Sequence, residues 1–224
     1  MKKKISIQAA PPVPDMVQTT VLVDRSGSMS DIWSSVLSAL NKLRSEIDCS
    51  LFSVQFFNDD WEIAKDFDDP NQKQINTPEG MTNLYGSIIK SIKHSREVSQ
   101  ITPEYRAHHV FVVITDGESN MHGTNDLAEC KKQVAAMDVD ATYFLLDSTD
   151  DQIAGKGLDW LSTPFKNTPK GVIDAINKVK LTVNQLTENV AKKLPPTSNL
   201  LLPPAVTRKI ILDDEVKDKS KKKK

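Results

Sequence analysis

Oxygen-bearing side chains stand at or near the ends of predicted strands, which is where ligands collect in open α/β sheets. Three alternate along one short segment after the apolar run MVQTTVLV, one lies in a polar loop, and one ends the run VFVVIT. They are Asp24, Ser26, Ser28, Thr82 and Asp116. Hard divalent cations such as Mg²⁺ and Mn²⁺ prefer about six oxygen ligands in near-octahedral geometry. The sequence therefore predicts a site for Mg²⁺ or Mn²⁺ at one edge of a sheet.

The spacing of the first three residues suits convergence on one ion. In an extended or gently turning segment, alternate side chains point the same way, so Asp24, Ser26 and Ser28 can face the ion together. We expect Gly27, which lies between the two serines, to supply the backbone freedom that such a turn requires.

The charge of these five side chains indicates which further ligand the ion would bind. Two carboxylates, Asp24 and Asp116, balance a dication, while the hydroxyl groups add no negative charge. If the carboxylates act through water, the ion stays electron-poor at an open coordination position. The side chain of an Asp or Glu from a partner protein would then be an attractive last ligand.

Alternating strand and helix patterns must position these residues. Apolar, β-branched runs predict strands within 16–23, 50–59, 60–67, 108–117 and 141–147, and a last short one at 164–167. The second and third strands would form a hairpin with its turn at Asn58–Asp60. Helical periodicity predicts helices at 32–47, 84–98, 126–137 and 151–155, and a long one that begins at Pro169. We expect Asp31 to be the N-cap of the first helix. These elements predict an α/β fold with a doubly wound, mainly parallel sheet, one antiparallel edge strand and helices on both faces.

Changes in composition divide the chain. We expect an N-terminal extension at 1–15, one domain at 16–194, and a tail at 195–224 that is rich in proline and lysine and partly disordered. The two cysteines, Cys49 and Cys130, form no close pair, so a zinc site or a disulfide framework is not expected.

Composition also narrows the class of partner. The formal net charge of −1 gives no global field for a polyanion, so we do not expect a nucleic-acid partner. The longest apolar run is far too short to span a bilayer, and we expect a cytoplasmic protein with no membrane partner.

The order and context of these motifs resemble a known family. The segment DRSGS after a first strand, a threonine within GMTNLYGSI, and ITDG after a later strand are similar to the von Willebrand factor A domain and its metal-ion-dependent adhesion site. The resemblance covers about residues 16–194. The segments TPEGMTNLYGSI and VITDGESN resemble most the intracellular bacterial and phage branch, including stand-alone proteins of the tellurite-resistance type.

The resemblance implies a role for each site residue. Ser26, Ser28 and often Thr82 would hold a divalent cation directly, and Asp24 and Asp116 would act mostly through water. The ion would bind an acidic side chain of a partner protein, and the chain would not be an enzyme. Independently of the resemblance, the position of Trp33 at the start of the first helix favours packing against the core over contact with a partner.

Other interpretations of the same residues remain. Asp24 and Asp116 can each end a strand in an ordinary turn, and Thr82 or the adjacent Asn83 can cap the following helix. A Mg²⁺-dependent phosphoryl-transfer or hydrolytic enzyme would use the same ion with Glu118 or His122 as a base. The sequence lacks a Gly-rich phosphate loop and a G-x-S-x-G elbow, which disfavours that activity.

Overall fold

The computed structural model describes residues 15–64, 77–101, 105–116, 119–120, 126–137, 141–147, 161–166 and 168–193. The strands are β1 (Asp15–Asp24), β2 (Leu51–Phe57), β3 (Trp61–Ile63), β4 (Arg106–Thr115), β5 (Ala141–Asp147) and β6 (Leu161–Pro164). The helices are α1 (Trp33–Glu46), α2 (Leu84–Ile101), α3 (Asp126–Ala135) and α4 (Pro169–Lys193), with a 3-10 turn at Gly27–Asp31 before α1.

The strands form one sheet in the order β3-β2-β1-β4-β5-β6. Every neighbouring pair is parallel except β2 and β3, which form an antiparallel hairpin at the edge. This arrangement confirms the predicted doubly wound, mainly parallel sheet with one antiparallel edge strand. The hairpin turn lies at Asn58–Asp60, as predicted.

The two central strands, β1 and β4, place the candidate site. Both are buried along nearly their whole length, because their β-branched and apolar residues pack against helices on each face. They pair in parallel up to Val23 and Ile114, so Asp24 and Thr115 follow side by side. We call this side of the sheet, where the parallel strands end, the carboxyl edge.

Two hydrophobic cores lie on the two faces of the sheet. Alternate residues of β1 point to opposite faces and so belong to different cores. Val21 and Val23 lie in the core beneath α1 and α4, and Leu22 lies in the core beneath α2 and α3. Trp33 is buried and packs on Phe56, with ring centroids 5.6 Å apart, which confirms its predicted core position. The presence of helices on both faces is therefore confirmed as well.

The start of the first helix differs from the prediction. Residues Gly27–Asp31 form a 3-10 turn, and α1 begins at Trp33 with Ile32 at the N-cap position and no side-chain cap. Asp31 is thus the last residue of the preceding turn and not the helix cap. The tight turn is closed by its own contacts, since the Ser30 hydroxyl donates a hydrogen bond of 2.6 Å to the carbonyl of Gly27.

The remaining elements follow the sequence closely. β5 has the predicted bounds and α4 begins at Pro169, whereas the last strand ends at Pro164 instead of starting there. Both cysteines are free, as expected. No helix in the described ranges is both long and apolar enough to cross a membrane. The extension predicted at 1–15 differs by one residue, because β1 begins at Asp15. The predicted helix at 151–155, residues 1–14, the first part of the polar loop before Thr82 and the tail lie outside the described residues.

Candidate metal centre

The Asp24 carboxylate is the most deeply buried member of the predicted set. It ends β1 and is 0% exposed. One of its oxygens accepts a hydrogen bond of 2.8 Å from the Ser26 backbone N–H, and the other accepts one of 2.7 Å from the Thr115 hydroxyl. Both oxygens are therefore oriented by donors, one from β4 and one from the loop that follows β1.

Burial changes the acidity of this group. It raises the pKa of Asp24 from 3.8 to about 6, while the hydrogen bonds from Thr115 and Ser26 pull the pKa down and the nearby charge of Asp116 adds to the rise. A buried carboxylate whose ionised form is disfavoured gains from a cation placed beside it.

The two serines connect Asp24 to Asp116. The Ser28 hydroxyl donates a hydrogen bond of 2.8 Å to Asp116, and the hydroxyl oxygens of Ser26 and Ser28 lie 3.1 Å apart. Because the Ser28 proton is committed to Asp116, Ser26 is the donor in the second contact. Four of the five predicted residues therefore meet in one hydrogen-bonded cluster at the carboxyl edge.

Thr82, the fifth residue, lies in the loop before α2. Its backbone N–H donates a hydrogen bond of 2.7 Å to the side chain of Asn120, and its carbonyl accepts bonds from the Ser119 hydroxyl (3.2 Å) and the Asn120 N–H (3.1 Å). The residue is 2% exposed. Within the described residues, its hydroxyl makes no hydrogen bond, either to the other four site residues or elsewhere.

Backbone contacts join the Thr82 loop to the segment that follows β1. The Gly27 N–H donates to the Gly80 carbonyl at 3.3 Å, and the Glu79 N–H donates to the Arg25 carbonyl at 2.9 Å. Gly80 has φ of 78°, the one positive φ found among glycines of the described ranges. The backbone freedom that we expected at Gly27 is thus required at Gly80, and Gly27 itself adopts no left-handed conformation.

The hairpin between β2 and β3 supports the same loop. The Asn58 amide donates to the Glu79 carbonyl at 3.1 Å, and the Asn83 N–H donates to the Asn58 carbonyl at 2.9 Å. The Asp59 carboxylate accepts a hydrogen bond of 2.8 Å from the Met81 N–H. Asn83 directly precedes α2, and its carbonyl accepts the first helical bond from Ser87. Thr82 is therefore not in the position that caps α2.

Several supporting residues carried no clear signal in the sequence. Thr115, Asn58, Ser119 and Asn120 act through hydrogen bonds to other chain segments, so only the fold reveals them. For Thr115, the adjacency of a strand-end hydroxyl to Asp116 could have suggested a role. Glu118 and His122, the bases of the enzymatic interpretation, lie outside the described residues.

The donor set fits a hard cation. The cluster offers two carboxylates and the hydroxyls of Ser26 and Ser28, and no group of three or more His, Cys, Asp or Glu side chains arranged for a metal occurs in the described part of the chain. Oxygen-only sets of this kind suit Mg²⁺ or Mn²⁺ rather than zinc or copper. The Thr82 hydroxyl, which makes no hydrogen bond in the described part of the chain, is an available further ligand.

Comparisons with known proteins find similarity in fold alone. No family model matches the chain, and no curated protein does. Among solved structures, one crystal form of proximal thread matrix protein 1 from the mussel byssus is 17% identical over 80% of this chain, with a TM-score of 0.49. A second structure of that protein is 12% identical over 78%, with a TM-score of 0.46. This chain spans about half the length of those chains (50% and 47%), and similarity at this level carries no argument about function.

Proposed function

We propose that this chain is a protein-binding module that depends on a divalent metal, Mg²⁺ or Mn²⁺, and captures an acidic side chain of a partner protein. The proposal includes membership of the von Willebrand factor A family, a metal-ion-dependent adhesion site, and a cytoplasmic location like that of the bacterial and phage branch. The observation that carries it is the cluster in which Ser26 and Ser28 bridge the carboxylates of Asp24 and Asp116.

The side chains of the cluster hold one another in place. Those from β1, the following turn and the end of β4 lie within hydrogen-bonding distance of one another. Little conformational entropy remains to be lost on metal binding, which favours affinity. The hydroxyl–hydroxyl and hydroxyl–carboxylate bonds would be exchanged for contacts with the cation.

Each residue then has a defined role in the proposal. Ser26, Ser28 and Thr82 would hold the ion through their hydroxyl oxygens, and Asp24 and Asp116 would balance its charge, mostly through water. The bound ion would supply a Lewis-acidic position that accepts a carboxylate. Thr115 and the Ser26 N–H fix the orientation of the Asp24 carboxylate.

We propose that the module is not an enzyme. A shell rich in hydroxyl groups keeps the ion electron-poor and suits capture of an anionic ligand. The central cluster contains no histidine or lysine to serve as a base, as far as the described residues extend.

A pull-down with the full chain as bait tests the proposal. Bound proteins would be recovered from lysate in Mg²⁺ and in chelator, with Asp24→Ala as the test variant. The matched control is Asp174→Ala, which removes an equal charge from an exposed position on α4. We expect one set of partners that requires Mg²⁺, is lost with Asp24→Ala and persists with Asp174→Ala.

Calorimetric titration of each form with Mg²⁺ accompanies the pull-down. The proposal predicts heat of binding for the wild type and the control, and none for Asp24→Ala. Equal recovery of partners in Mg²⁺ and chelator would contradict metal dependence. Steady phosphatase or nuclease turnover that Glu118→Gln or His122→Ala abolishes would contradict the assignment as a non-enzyme.

A further inference from the structure

Four exposed carboxylates stand on the loops that form the candidate metal centre. They lie on the loops that hold the site, and we call them the acidic rim: Asp31, Asp59, Asp60 and Glu79. Asp31 ends the turn that contains Ser28, and Glu79 stands three residues before Thr82. Asp59 and Asp60 form the hairpin tip that accepts the Met81 N–H.

The rim has no neutralising partner in the described structure. None of its four carboxylates forms a salt bridge there. Arg25, whose carbonyl accepts the Glu79 N–H, pairs through its guanidinium with Glu62 at 2.8 Å. A bound divalent ion offsets Asp24 and Asp116, so the rim keeps its negative charge even when the centre is loaded.

This charge restricts what can approach the ion. A plain acidic segment is attracted by the metal but repelled by the rim, since like charges at short range cost free energy. A ligand that suits both must present one acidic group to the ion and positive groups to the rim. An apolar side chain would add to the fit, because Met81, which lies between Gly80 and Thr82, is 49% exposed.

A segment of this chain has that composition. Residues 207–224 read TRKIILDDEVKDKSKKKK, in which an apolar run precedes three acids and lysines follow. The acids are Asp213, Asp214 and Glu215. The segment therefore contains an apolar group for Met81, acidic groups for the metal and lysines for the acidic rim.

We infer that residues 207–224 of the same chain bind at the metal centre, with one acid of 213–215 as the ligand of the ion and the following lysines on the acidic rim. This rests on the proposed function, because the acid needs the ion. The segment would act as an internal competitor that a partner must displace.

The chain is long enough for this contact. α4 begins beside the carboxyl edge, and its far part is anchored at the opposite edge, where Asn184 and Thr187 bond to Glu46 and Asp48 before β2. The chain that follows α4 must therefore run back along about the length of this helix, which is roughly 37 Å at 1.5 Å per residue. Twenty peptide steps from Lys193 to Asp213 span up to about 66 Å. Tethering would also raise the effective concentration of the segment to the order of 1 mM.

Crosslinking of the full chain tests where the segment lies. A carbodiimide that joins lysine to carboxylate would be applied to dilute protein in Mg²⁺ and in chelator, and the products would be mapped by mass spectrometry. We expect monomeric products that join lysines of 217–224 to the acidic rim, in Mg²⁺ only. These products should vanish in the full-length triple variant D213A/D214A/E215A, while Asp174 forms none in any sample.

Peptide binding tests the competition. A labelled peptide of residues 207–224 should bind the triple variant about tenfold more tightly than it binds the wild type, whose own segment competes. In the background of the triple variant, Asp60→Asn combined with Glu79→Gln should weaken peptide binding and reduce its salt dependence. The Mg²⁺ affinity measured by calorimetry should fall by less than the peptide affinity, since neither carboxylate is a proposed ligand of the ion. A peptide with its three acids replaced by alanine should not bind.

The outcomes separate this inference from the proposed function. If no Mg²⁺ binds to the wild type, the proposed function fails and the inference fails with it. If Mg²⁺ binds and external partners are captured, but crosslinks are absent or peptide affinity is equal in the wild type and the triple variant, only the inference is overturned. Crosslinks confined to dimers would also overturn it, since a second copy would then be the occupant.

Discussion

The Thr115 hydroxyl donates a hydrogen bond of 2.7 Å to the Asp24 carboxylate, although 91 residues separate the two in sequence. The contact exists because β1 and β4 are neighbours in the sheet and pair in parallel up to Val23 and Ile114. It holds one oxygen of a fully buried carboxylate, while the Ser26 N–H holds the other. Thr115 is therefore a positioning residue for Asp24 in the proposed metal centre.

Replacing Thr115 with valine should weaken metal binding. Valine keeps the shape and removes the hydroxyl, so the Asp24 carboxylate loses one of its two orienting donors. Loss of an outer hydrogen-bond partner typically lowers metal affinity, and we expect about a tenfold decrease in Mg²⁺ affinity by calorimetry. Thr115→Ser is the matched control because it retains the hydroxyl. Equal affinities for the two variants would show that the hydroxyl does not position Asp24.

Gly80 and Gly27 should respond differently to alanine. At Gly80 the positive φ of 78° strains any side chain, and a Cβ would meet the Asp59 carboxylate at 2.6 Å. At Gly27 the nearest atom is the Gly80 carbonyl oxygen at 3.9 Å, so a methyl group has space. We expect Gly80→Ala to lower the free energy of unfolding by about 1–2 kcal/mol and to weaken Mg²⁺ binding.

Gly27→Ala serves as the control for this loop. Urea unfolding and Mg²⁺ titration of both variants give the comparison, and Gly27→Ala should stay near the wild type in each. A Gly80→Ala protein with unchanged stability would mean that the loop relaxes at no cost.

The metal-free protein should lose stability as pH rises from about 4 to 6. Folding raises the pKa of Asp24 from 3.8 to about 6 through burial. The neutral carboxyl favours the folded state, so its contribution is complete below pH 3.8 and is lost as pH rises through 6. This pKa shift corresponds to a contribution of at most about 3 kcal/mol to the free energy of unfolding.

Asp24→Asn isolates this effect from other titrating groups. The difference in free energy of unfolding between the wild type and Asp24→Asn should change over this pH window in chelator. At pH 7.5, Mg²⁺ should restore stability to the wild type and not to the variant, because only the ionised carboxylate gains from the cation. A pH-independent difference would argue against a buried, raised-pKa carboxyl at this position.

The far end of α4 is anchored independently of the metal centre. The Asn184 amide donates to the Glu46 carbonyl at 3.1 Å and its oxygen accepts from the Asp48 N–H at 2.9 Å. We expect Asn184→Ala to lower the free energy of unfolding by about 1–2 kcal/mol, through loss of two hydrogen bonds, without changing Mg²⁺ affinity. Gln185→Ala, at the exposed neighbouring position, should change neither quantity in the same urea and calorimetric measurements.

Strong local patterns predicted most of the fold. β5 has the bounds read from ATYFLLD, and α4 begins at Pro169 because proline suits the first helical turn. Asp31 was a wrong prediction for the N-cap, since an aspartate before a periodic run has the same local signature in a 3-10 turn as in a helix cap. Local patterns therefore locate elements better than they locate the turns between them.

The candidate site was predictable only where its members share short spacings or strand ends. Ser26, Ser28 and Asp116 meet as expected from their positions. The left-handed conformation at Gly80 was not foreseen, because it is required by the packing of the hairpin tip against the loop and not by the local sequence. Residues that form hydrogen bonds between distant chain segments show no regular spacing in a single sequence, so they cannot be identified from it.

The pairing of β1 with β4 bears on when an ion can influence folding. Asp24 and Asp116 are 92 positions apart in the chain and become neighbours only when these two central strands associate. Contacts of such long separation form late, after the entropy of closing the intervening loop has been lost. A cation would therefore stabilise the sheet after it has formed and would not promote its formation. Mg²⁺ should slow unfolding and leave the refolding rate nearly unchanged.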